Sequence, residues 1–183
     1  MPRLPLIHQR RMLHEGTRFP VEELELEFSN GVRRTYERVP GSGRGAVLVV
    51  PMLDDNTVLL LREYAAGLHA YELGLPKGRM EPGESPLEGA DRELKEEAGY
   101  GAHRLRLIGK LSLAPTYMAH QINVVLAQDL YPESLPGDEP EPPEVVPWHL
   151  DKLHELVQRT DCTEGRSLAA LFMAREMLRF GLL

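Results

Sequence analysis

The amino-acid sequence predicts an α/β fold in which a smaller β unit precedes one sizeable core. Several short apolar runs rich in β-branched residues are typical of buried strands. One central helix carries start and stop signals at its two ends, and a second helical pattern lies near the C-terminus. The length of 183 residues is enough for one such core with a small appended unit.

The composition is that of a globular protein, with 42% apolar and 27% charged residues. The net charge of −7 argues against a surface that binds nucleic acid or an anionic membrane. The single cysteine, Cys162, excludes an internal disulfide and a cysteine-rich zinc cluster, and we expect it to be a non-catalytic thiol. No apolar run is long enough for a membrane helix and the N-terminus lacks a signal-peptide pattern, which predicts a cytoplasmic protein.

The N-terminal region predicts a small β-hairpin. Residues 1–18 are polar, and we expect them to be loosely held. Residues 21–28 alternate between apolar and acidic side chains, Asn30-Gly31 is a hairpin turn signal, and residues 32–39 return as a second strand. The Pro-Gly-Ser-Gly sequence at 40–43 marks a boundary. A lone hairpin is marginally stable in water, so it must pack on something.

The next two apolar runs, residues 46–53 and 58–64, predict a buried antiparallel pair joined by the short polar turn at 54–56. Residues 71–77 lead into the next stretch, and a further strand is predicted there that ends at Pro76. The remaining elements predicted in order are strands at 105–113 and 122–130, a short amphipathic stretch at 150–157, and a helix at 167–180. Trp148 is expected to pack in the core.

A helix with marked ends lies between Ser85 and Gly99. Ser85 is suited to the N-cap, Pro86 fits the first helical position, and Glu88 completes a capping box with Ser85. Gly99 is expected just beyond the C-terminal end. The predicted buried face of this helix comprises four apolar residues at helical spacing: Leu87, Ala90, Leu94 and Ala98.

Three carboxylates cluster beside that apolar face. Glu93 and Glu97 lie about 40° apart around the helix axis, and Glu96 lies one step further round. Like charges at this spacing repel each other, and Arg92, four residues before Glu96, offsets part of the repulsion. A hard divalent cation offsets more, because Mg²⁺ takes carboxylate and phosphate oxygens as ligands. A solvated acidic helix face is the alternative interpretation of these carboxylates alone.

The spacing of residues 78–99 favours the metal-binding interpretation over a solvated helix face. Gly78 is followed after five residues by Glu84, and after seven more by Arg-Glu-Leu-Lys-Glu-Glu-Ala-Gly at 92–99. This pattern resembles the Nudix box. The position after Gly99 is usually Ile, Leu or Val in that family, whereas this chain has Tyr100, which is still apolar in its ring.

The resemblance implies an α/β/α sandwich with a mixed sheet, in which this loop and helix hold divalent metal against a nucleoside diphosphate linked to another group. It implies that the metal ligands are Glu93, Glu96 and Glu97, with the carbonyl of Lys77 as an extra ligand. The implied cofactor is Mg²⁺, with Mn²⁺ as a substitute. Arg92 is expected to hold the glutamates in place rather than to contact the substrate.

The proline-rich acidic stretch at 131–144 has two interpretations. Its composition alone is that of a solvated loop. In the family that it resembles, such a loop reaches the metal site and often supplies the carboxylate that activates water. Glu139 and Glu141, on either side of Pro140, resemble the family's Glu-x-Glu loop. Glu139 is therefore the expected base, and Glu141 is its alternative or a further metal ligand.

Several residues outside the box are candidates for substrate contact, each with a structural alternative. Arg62, at the end of an apolar run, either contacts a substrate phosphate or pairs with a nearby carboxylate, and Arg44 is a second candidate contact. Tyr64 or Tyr71 either stacks on a base or belongs to the core. The spacing of Pro115 from the box resembles that of a proline in ADP-ribose-type members of the family. The alternative is that Pro115 only ends a strand.

The resemblance covers most of the chain and extends to the NudE-type branch of the family, the bacterial ADP compounds hydrolases. The stretches that carry it are Phe-Ser-Asn-Gly-Val-Arg-Arg at 28–34, Arg-Glu-Tyr-Ala at 62–65, the box helix, and Ala-Gln-Asp-Leu-Tyr-Pro-Glu-Ser at 127–134. It implies hydrolysis of ADP linked to a second moiety, such as ADP-ribose, NADH or a short diadenosine polyphosphate, to AMP and the second phosphate.

The resemblance also implies a domain organisation. Residues 1–42 would form the hairpin unit that packs on a second copy in a homodimer, and residues 43–183 would form the catalytic domain. The alternatives are a Nudix hydrolase of another nucleotide, an ADP-ribose sensor without catalysis, and a structural protein. The substrate expected from the enzyme interpretation is a small nucleotide, with no nucleic-acid or membrane partner.

Overall fold

The computed structural model describes residues 3–16, 19–41, 43–137 and 139–182. The chain divides into two compact units. The first comprises Met1–Gly43 together with Ser112–Gln121, a segment that the sequence assigned to the catalytic domain. The second comprises Arg44–Leu111 and Ile122–Leu183. Ser42, within the predicted boundary, lies outside the described residues.

The first unit contains a three-stranded antiparallel sheet rather than a lone hairpin. Its strands are β1 (Leu6–His14), β2 (Val21–Glu27) and β3 (Arg33–Arg38), in the order β1-β2-β3. The expectation that residues 1–18 are loosely held is therefore wrong for β1; residues 1, 2, 17 and 18 lie outside the described part. The strand was missed because cross-strand ion pairs, such as Arg11 with Glu23 at 2.7 Å, accompany its pairing with β2 in place of an apolar alternation.

The second unit contains the strands and helices that the sequence predicts, in that order, together with two short strands that it does not predict, Lys77–Arg79 and Glu144–His149. Its elements are β4 (Ala46–Pro51), β5 (Thr57–Ala65), β6 (Ala70–Gly74), β7 (Lys77–Arg79), α1 (Pro86–Glu97), β8 (Tyr100–Ser112), β9 (Gln121–Pro132), β10 (Glu144–His149), a 3₁₀ turn (Leu150–Lys152), α2 (Leu153–Leu156) and α3 (Gly165–Arg179). None of the helices in the described part of the chain is long and apolar enough to span a bilayer.

The strands of this unit form two sheets. One is a mixed sheet of order β7-β4-β9-β8, in which β4 is parallel to β9 and antiparallel to β7. The other is an antiparallel sheet of order β10-β5-β6. The predicted pairing of β4 with β5 is wrong apart from one bridge between Met52 and Val58. Both edges of β4 are occupied by β7 and β9, and both edges of β5 by β6 and β10.

The core lies on both faces of the mixed sheet. Val47 and Val49 of β4 pack in one apolar cluster with Ala90 and Leu94 of α1. The intervening residues of β4 pack in a second cluster with α3, whose members include Leu48, Val50, Ala170, Leu171 and the buried Cys162. Trp148 is partly buried against this second cluster. The arrangement is the α/β/α sandwich that the resemblance implies.

Candidate active site

Helix α1 is built as its sequence signals require. The Ser85 hydroxyl accepts a hydrogen bond from the amide of Glu88, and the Glu88 carboxylate accepts one from the amide of Ser85. Gly99 has φ of 74°, a left-handed conformation that ends the helix at little cost for glycine. Ala90 and Leu94 are fully buried, but Leu87 is 37% exposed, so the apolar face begins one turn later than predicted.

Arg92 lies among the carboxylates of the helix. Its Nη1 atom donates to Oε1 of Glu93 at 2.9 Å and to Oε2 of Glu96 at 2.7 Å, while its Nε atom donates to Oε1 of Glu84 at 2.8 Å. The hydrogen bond to Glu84, with the charges of Glu93 and Glu96, raises the pKa of Arg92 above its usual value. One guanidinium therefore offsets the repulsion among Glu84, Glu93 and Glu96. The sequence predicts this role of Arg92 for the helix glutamates but not for Glu84.

Glu97 lies on the side of this cluster that faces β7. Its Oε2 atom accepts a hydrogen bond from the amide of Lys77 at 2.9 Å, and burial raises its pKa to about 8. The charge of Glu63 adds to this increase. The Lys77 ammonium forms an ion pair with Glu63. Lys77 thus contacts one carboxylate through its backbone and another through its side chain.

Gly78, the first residue of the predicted box, lies against Glu93. A Cβ atom added at Gly78 would overlap the carboxyl carbon and both carboxyl oxygens of Glu93. Glu93 itself is 7% exposed. Glycine is required here by the close approach of the backbone rather than by an unusual φ angle, so β7 and α1 together form a cradle around this carboxylate.

A cavity of about 290 Å³ is lined by Arg62, Glu63, Tyr64, Tyr71 and the loop at 139–143. The Tyr71 hydroxyl donates a hydrogen bond to Oε2 of Glu141 at 3.0 Å. This bond to the carboxylate raises the pKa of Tyr71. Because Glu63 lines the cavity and also pairs with Lys77, the cavity is connected to the carboxylates of α1.

Two families of known proteins match the chain. The NUDIX domain matches residues 43–172, and the NudE-type Nudix hydrolase N-terminal domain matches residues 5–38. The chain belongs to the Nudix family. The predicted Nudix box therefore begins in strand β7, which contains Gly78, and continues through the following loop into helix α1.

Individual relatives agree with this assignment. The chain is 53% identical over 161 residues to the ADP compounds hydrolase NudE of Escherichia coli (strain K12), covering 88% of this chain and 86% of that protein. It is 29% identical over 153 residues to the ADP-ribose pyrophosphatase of Bacillus subtilis (strain 168), covering 82% and 80%. A solved structure described as a crystal structure of ADP compounds hydrolase has a TM-score of 0.91 at 49% identity, covering 99% of this chain and 97% of that one.

The two arginines predicted to contact substrate lie in different environments of this Nudix domain. Arg62 lines the cavity, but its guanidinium pairs with Glu144 at 3.0 Å and with Asp161 at 2.7 Å. The carboxylate pairing left open by the sequence is thus present. Arg44 is exposed in the segment before β4, and it pairs with no carboxylate in the described part of the chain.

The Nudix carboxylates fit a hard divalent cation in donor chemistry, since three glutamates offer oxygen atoms along one edge of α1. The cradle at Gly78 also fits, because a side chain there would displace Glu93. Among the described residues no group of three or more His, Cys, Asp or Glu side chains is already arranged as metal ligands. The reason is visible in the contacts: Glu93 and Glu96 face Arg92, and Glu97 faces the Lys77 amide.

Sequence reasoning missed two contacts at this Nudix site. The ion pair of Lys77 with Glu63 joins two strands, and the hydrogen bond of Tyr71 with Glu141 joins β6 to the proline-rich loop. Neither has a local sequence signature, because each depends on which strands become neighbours. The sequence did single out Tyr71 and Glu141 separately, and both line the same cavity.

Proposed function

We propose that this Nudix hydrolase cleaves ADP linked to another moiety, such as ADP-ribose, NADH or a short diadenosine polyphosphate, to AMP and the second phosphate. The observation that carries the proposal is the connection of the α1 carboxylates to the cavity through Lys77 and Glu63. The substrate class is supported by the relative named ADP compounds hydrolase NudE, 53% identical over 161 residues.

The proposed metal ligands are Glu93, Glu96 and Glu97, with the Lys77 carbonyl as an extra ligand. Mg²⁺ is the proposed cation, and Mn²⁺ is a substitute with similar oxygen ligands. When bound, the cation supplies positive charge that offsets the charge developing on the phosphate oxygens. Arg92 keeps the glutamates in place by its hydrogen bonds to Glu93 and Glu96.

Hydrolysis needs a base for the attacking water. In this proposal Glu139 takes the proton, the water oxygen bonds to a phosphorus of the pyrophosphate, and the bond from that phosphorus to the bridging oxygen breaks. ADP-ribose then gives AMP and ribose 5-phosphate. Glu141 is held by Tyr71 and serves as the alternative base or as a further metal ligand. Arg44 is the proposed contact to the substrate phosphates, because the guanidinium of Arg62, the other candidate, is already paired with Glu144 and Asp161.

We further propose a cytoplasmic homodimer in which residues 1–42 contact a second copy and residues 43–183 carry catalysis. The first unit exposes large apolar side chains that a partner subunit would cover, among them Leu6, Ile7, Met12, Leu13 and Tyr36. The net charge of −7 supports the absence of nucleic-acid and membrane partners. Sedimentation equilibrium of the purified chain tests the dimer, and a monomer at micromolar concentration contradicts it.

The activity is tested by incubating the purified protein with ADP-ribose and Mg²⁺ and following AMP release, with EDTA as the control. Metal-dependent release of AMP and ribose 5-phosphate is the expected result. If NADH or a diadenosine compound is cleaved but ADP-ribose is not, the proposed chemistry stands and the preferred substrate changes. Binding without cleavage of any of these compounds contradicts the enzyme and favours a sensor.

A further inference from the structure

The cavity that Glu63 and the loop at 139–143 line has an aromatic wall. Tyr64 and Tyr71 are each 52% exposed, and their rings lie edge to face with centroids 5.8 Å apart. The proline-rich loop supplies a second set of flat apolar groups, from Pro140, Pro142 and Pro143. Two half-exposed tyrosines bordering a cavity differ from core aromatics, since their ring surfaces are accessible to a ligand.

Both tyrosine rings are held in position by their hydroxyl groups. The Tyr64 hydroxyl is hydrogen-bonded to Nδ1 of His69 at 2.7 Å, and the His69 ring lies edge-on to Tyr64 at 5.9 Å. The Tyr71 hydroxyl donates to Glu141. His69 has φ of 52°, a left-handed conformation that is uncommon outside glycine and fixes the turn between β5 and β6. The aromatic wall is therefore arranged before any ligand binds.

The charges of the lining disfavour a phosphate and favour a neutral ring. Glu63, Glu139 and Glu141 contribute carboxylates, whereas Arg62 is the lining residue with a cation and already pairs with Glu144 and Asp161. At about 290 Å³ the cavity lies at the small end of ligand sites, which span roughly 300–1,000 Å³. That volume suits one ring system rather than a whole dinucleotide.

We propose that the Tyr64–Tyr71 cavity binds the adenine base of the ADP moiety by stacking against the tyrosine rings. The inference rests on the proposed function, which supplies a substrate containing adenine. Stacking on an aromatic side chain recognises the π face of a base, and in this proposal the diphosphate extends past the lining carboxylates, where Glu139 acts. The connection through Glu63 and Lys77 then directs the diphosphate toward the carboxylates of α1.

The test compares the binding of two probes, AMP and ribose 5-phosphate, by calorimetry in the presence of Mg²⁺. AMP carries the base and ribose 5-phosphate lacks it, so the ratio of their dissociation constants reports on the base alone. Wild-type protein is expected to bind AMP more tightly. Tyr64→Leu and Tyr71→Leu remove the rings. Each is expected to weaken the binding of AMP roughly 5- to 100-fold and to leave the binding of ribose 5-phosphate unchanged.

Tyr64→Phe and Tyr71→Phe are the matched controls, because they keep the rings and remove only the hydroxyls. They are expected to retain most of the preference for AMP, and thermal unfolding of all four variants establishes that they are folded. Equal binding of the two probes by the wild type overturns the proposal. An equal loss of affinity for both probes in the leucine variants also overturns it, because that result would place the ribose phosphate that the two probes share in the cavity.

These outcomes are independent of turnover. A protein that cleaves ADP-ribose but binds AMP and ribose 5-phosphate equally keeps the proposed function and loses the adenine site. A protein that cleaves no ADP compound, but loses its preference for AMP in the leucine variants, keeps the adenine site and loses the proposed function.

Discussion

Gly78 lies so close to the Glu93 carboxylate that no side chain fits between them. The contact joins β7 to α1 and places a backbone without a Cβ against a carboxylate of the Nudix box. Because the group that blocks a side chain is the end of a flexible glutamate, an added methyl group would move the carboxylate rather than the backbone. The glycine is thus a requirement of the site rather than of the fold.

We expect Gly78→Ala to fold but to lose activity. The methyl group displaces the Glu93 carboxylate, and displaced groups around a metal typically cost about 10- to 100-fold in metal affinity or activity. The measurement is the Mg²⁺ concentration for half-maximal activity together with the thermal midpoint. Gly165→Ala is the matched control, since no described atom lies within 4 Å of a Cβ there. Unchanged Mg²⁺ dependence in Gly78→Ala contradicts this account of the glycine.

Glu97→Gln should separate activity from stability. The amide oxygen of glutamine can still accept the hydrogen bond from the Lys77 amide, and glutamine is uncharged like a carboxyl group whose pKa burial raises to about 8, so the change costs the fold little. Loss of a metal ligand is expected to lower kcat by roughly 100-fold or more. Glu88→Gln on the same helix is the control, because glutamine also completes a capping box. Full turnover of Glu97→Gln in Mg²⁺ would show that Glu97 is not a ligand.

The parts of this protein that the sequence predicts are those with local causes. The caps of α1 and its acidic edge follow from residues within one or two turns, and they were predicted in place. The partners of β4 were not, because β4 pairs with β9, whose residues lie more than 70 positions further along the chain. A run buried on both faces carries no alternation that would indicate its neighbours.

In the candidate site, too, features with local causes could be predicted and features that depend on distant residues could not. The position of the box glutamates along one edge of a helix could be predicted from their spacing. The Lys77–Glu63 and Tyr71–Glu141 contacts could not, because they depend on strand pairing and on the course of a proline-rich loop. Strand β1 was missed because its polar and apolar residues do not alternate and all of them are exposed, so the sequence shows no buried face.

The two glutamates of the proline-rich loop should differ in kinetic effect. Glu141 accepts a hydrogen bond from Tyr71, whereas the Glu139 side chain accepts none within the described residues. Glu139→Gln is expected to lower kcat for ADP-ribose about 10²- to 10⁴-fold, the usual contribution of a general base. Glu141→Gln is expected to change kcat less, and to raise the Mg²⁺ requirement if it binds metal. The reverse order of the two kcat values would identify Glu141 as the base.

Asp161 should make stability depend on pH in the acid range. Hydrogen bonds from Arg159 and Arg62 hold its pKa well below the usual range, while the unfolded carboxyl has a pKa of about 3.9. The unfolded state therefore takes up this proton first as the pH falls. The stabilising contribution is complete above about pH 5 and is lost progressively as the pH falls toward the folded-state pKa.

The corresponding test is urea unfolding of Asp161→Asn and of the wild type at several pH values. The variant is expected to be less stable near neutral pH and to lose less stability on acidification. Asp55→Asn is the control, since Asp55 is exposed and makes no ion pair in the described part of the chain. Parallel curves for the wild type and Asp161→Asn would exclude a contribution from this carboxylate.

Cys162 should report on unfolding through its reactivity. The thiol is 3% exposed, and burial raises its pKa to about 11, with the charges of Glu72 and Asp161 adding to the increase. Thiol reagents react with the thiolate, so the folded protein offers neither access nor a reactive species.

We expect labelling by a disulfide reagent to be roughly 10³-fold slower or more in the folded protein than in urea, since opening costs several kcal/mol. The chain has one cysteine, so the signal comes from this site, and Cys162→Ser should abolish it. Rapid stoichiometric labelling without denaturant would mean that the cluster beneath α3 opens far more readily than its burial indicates.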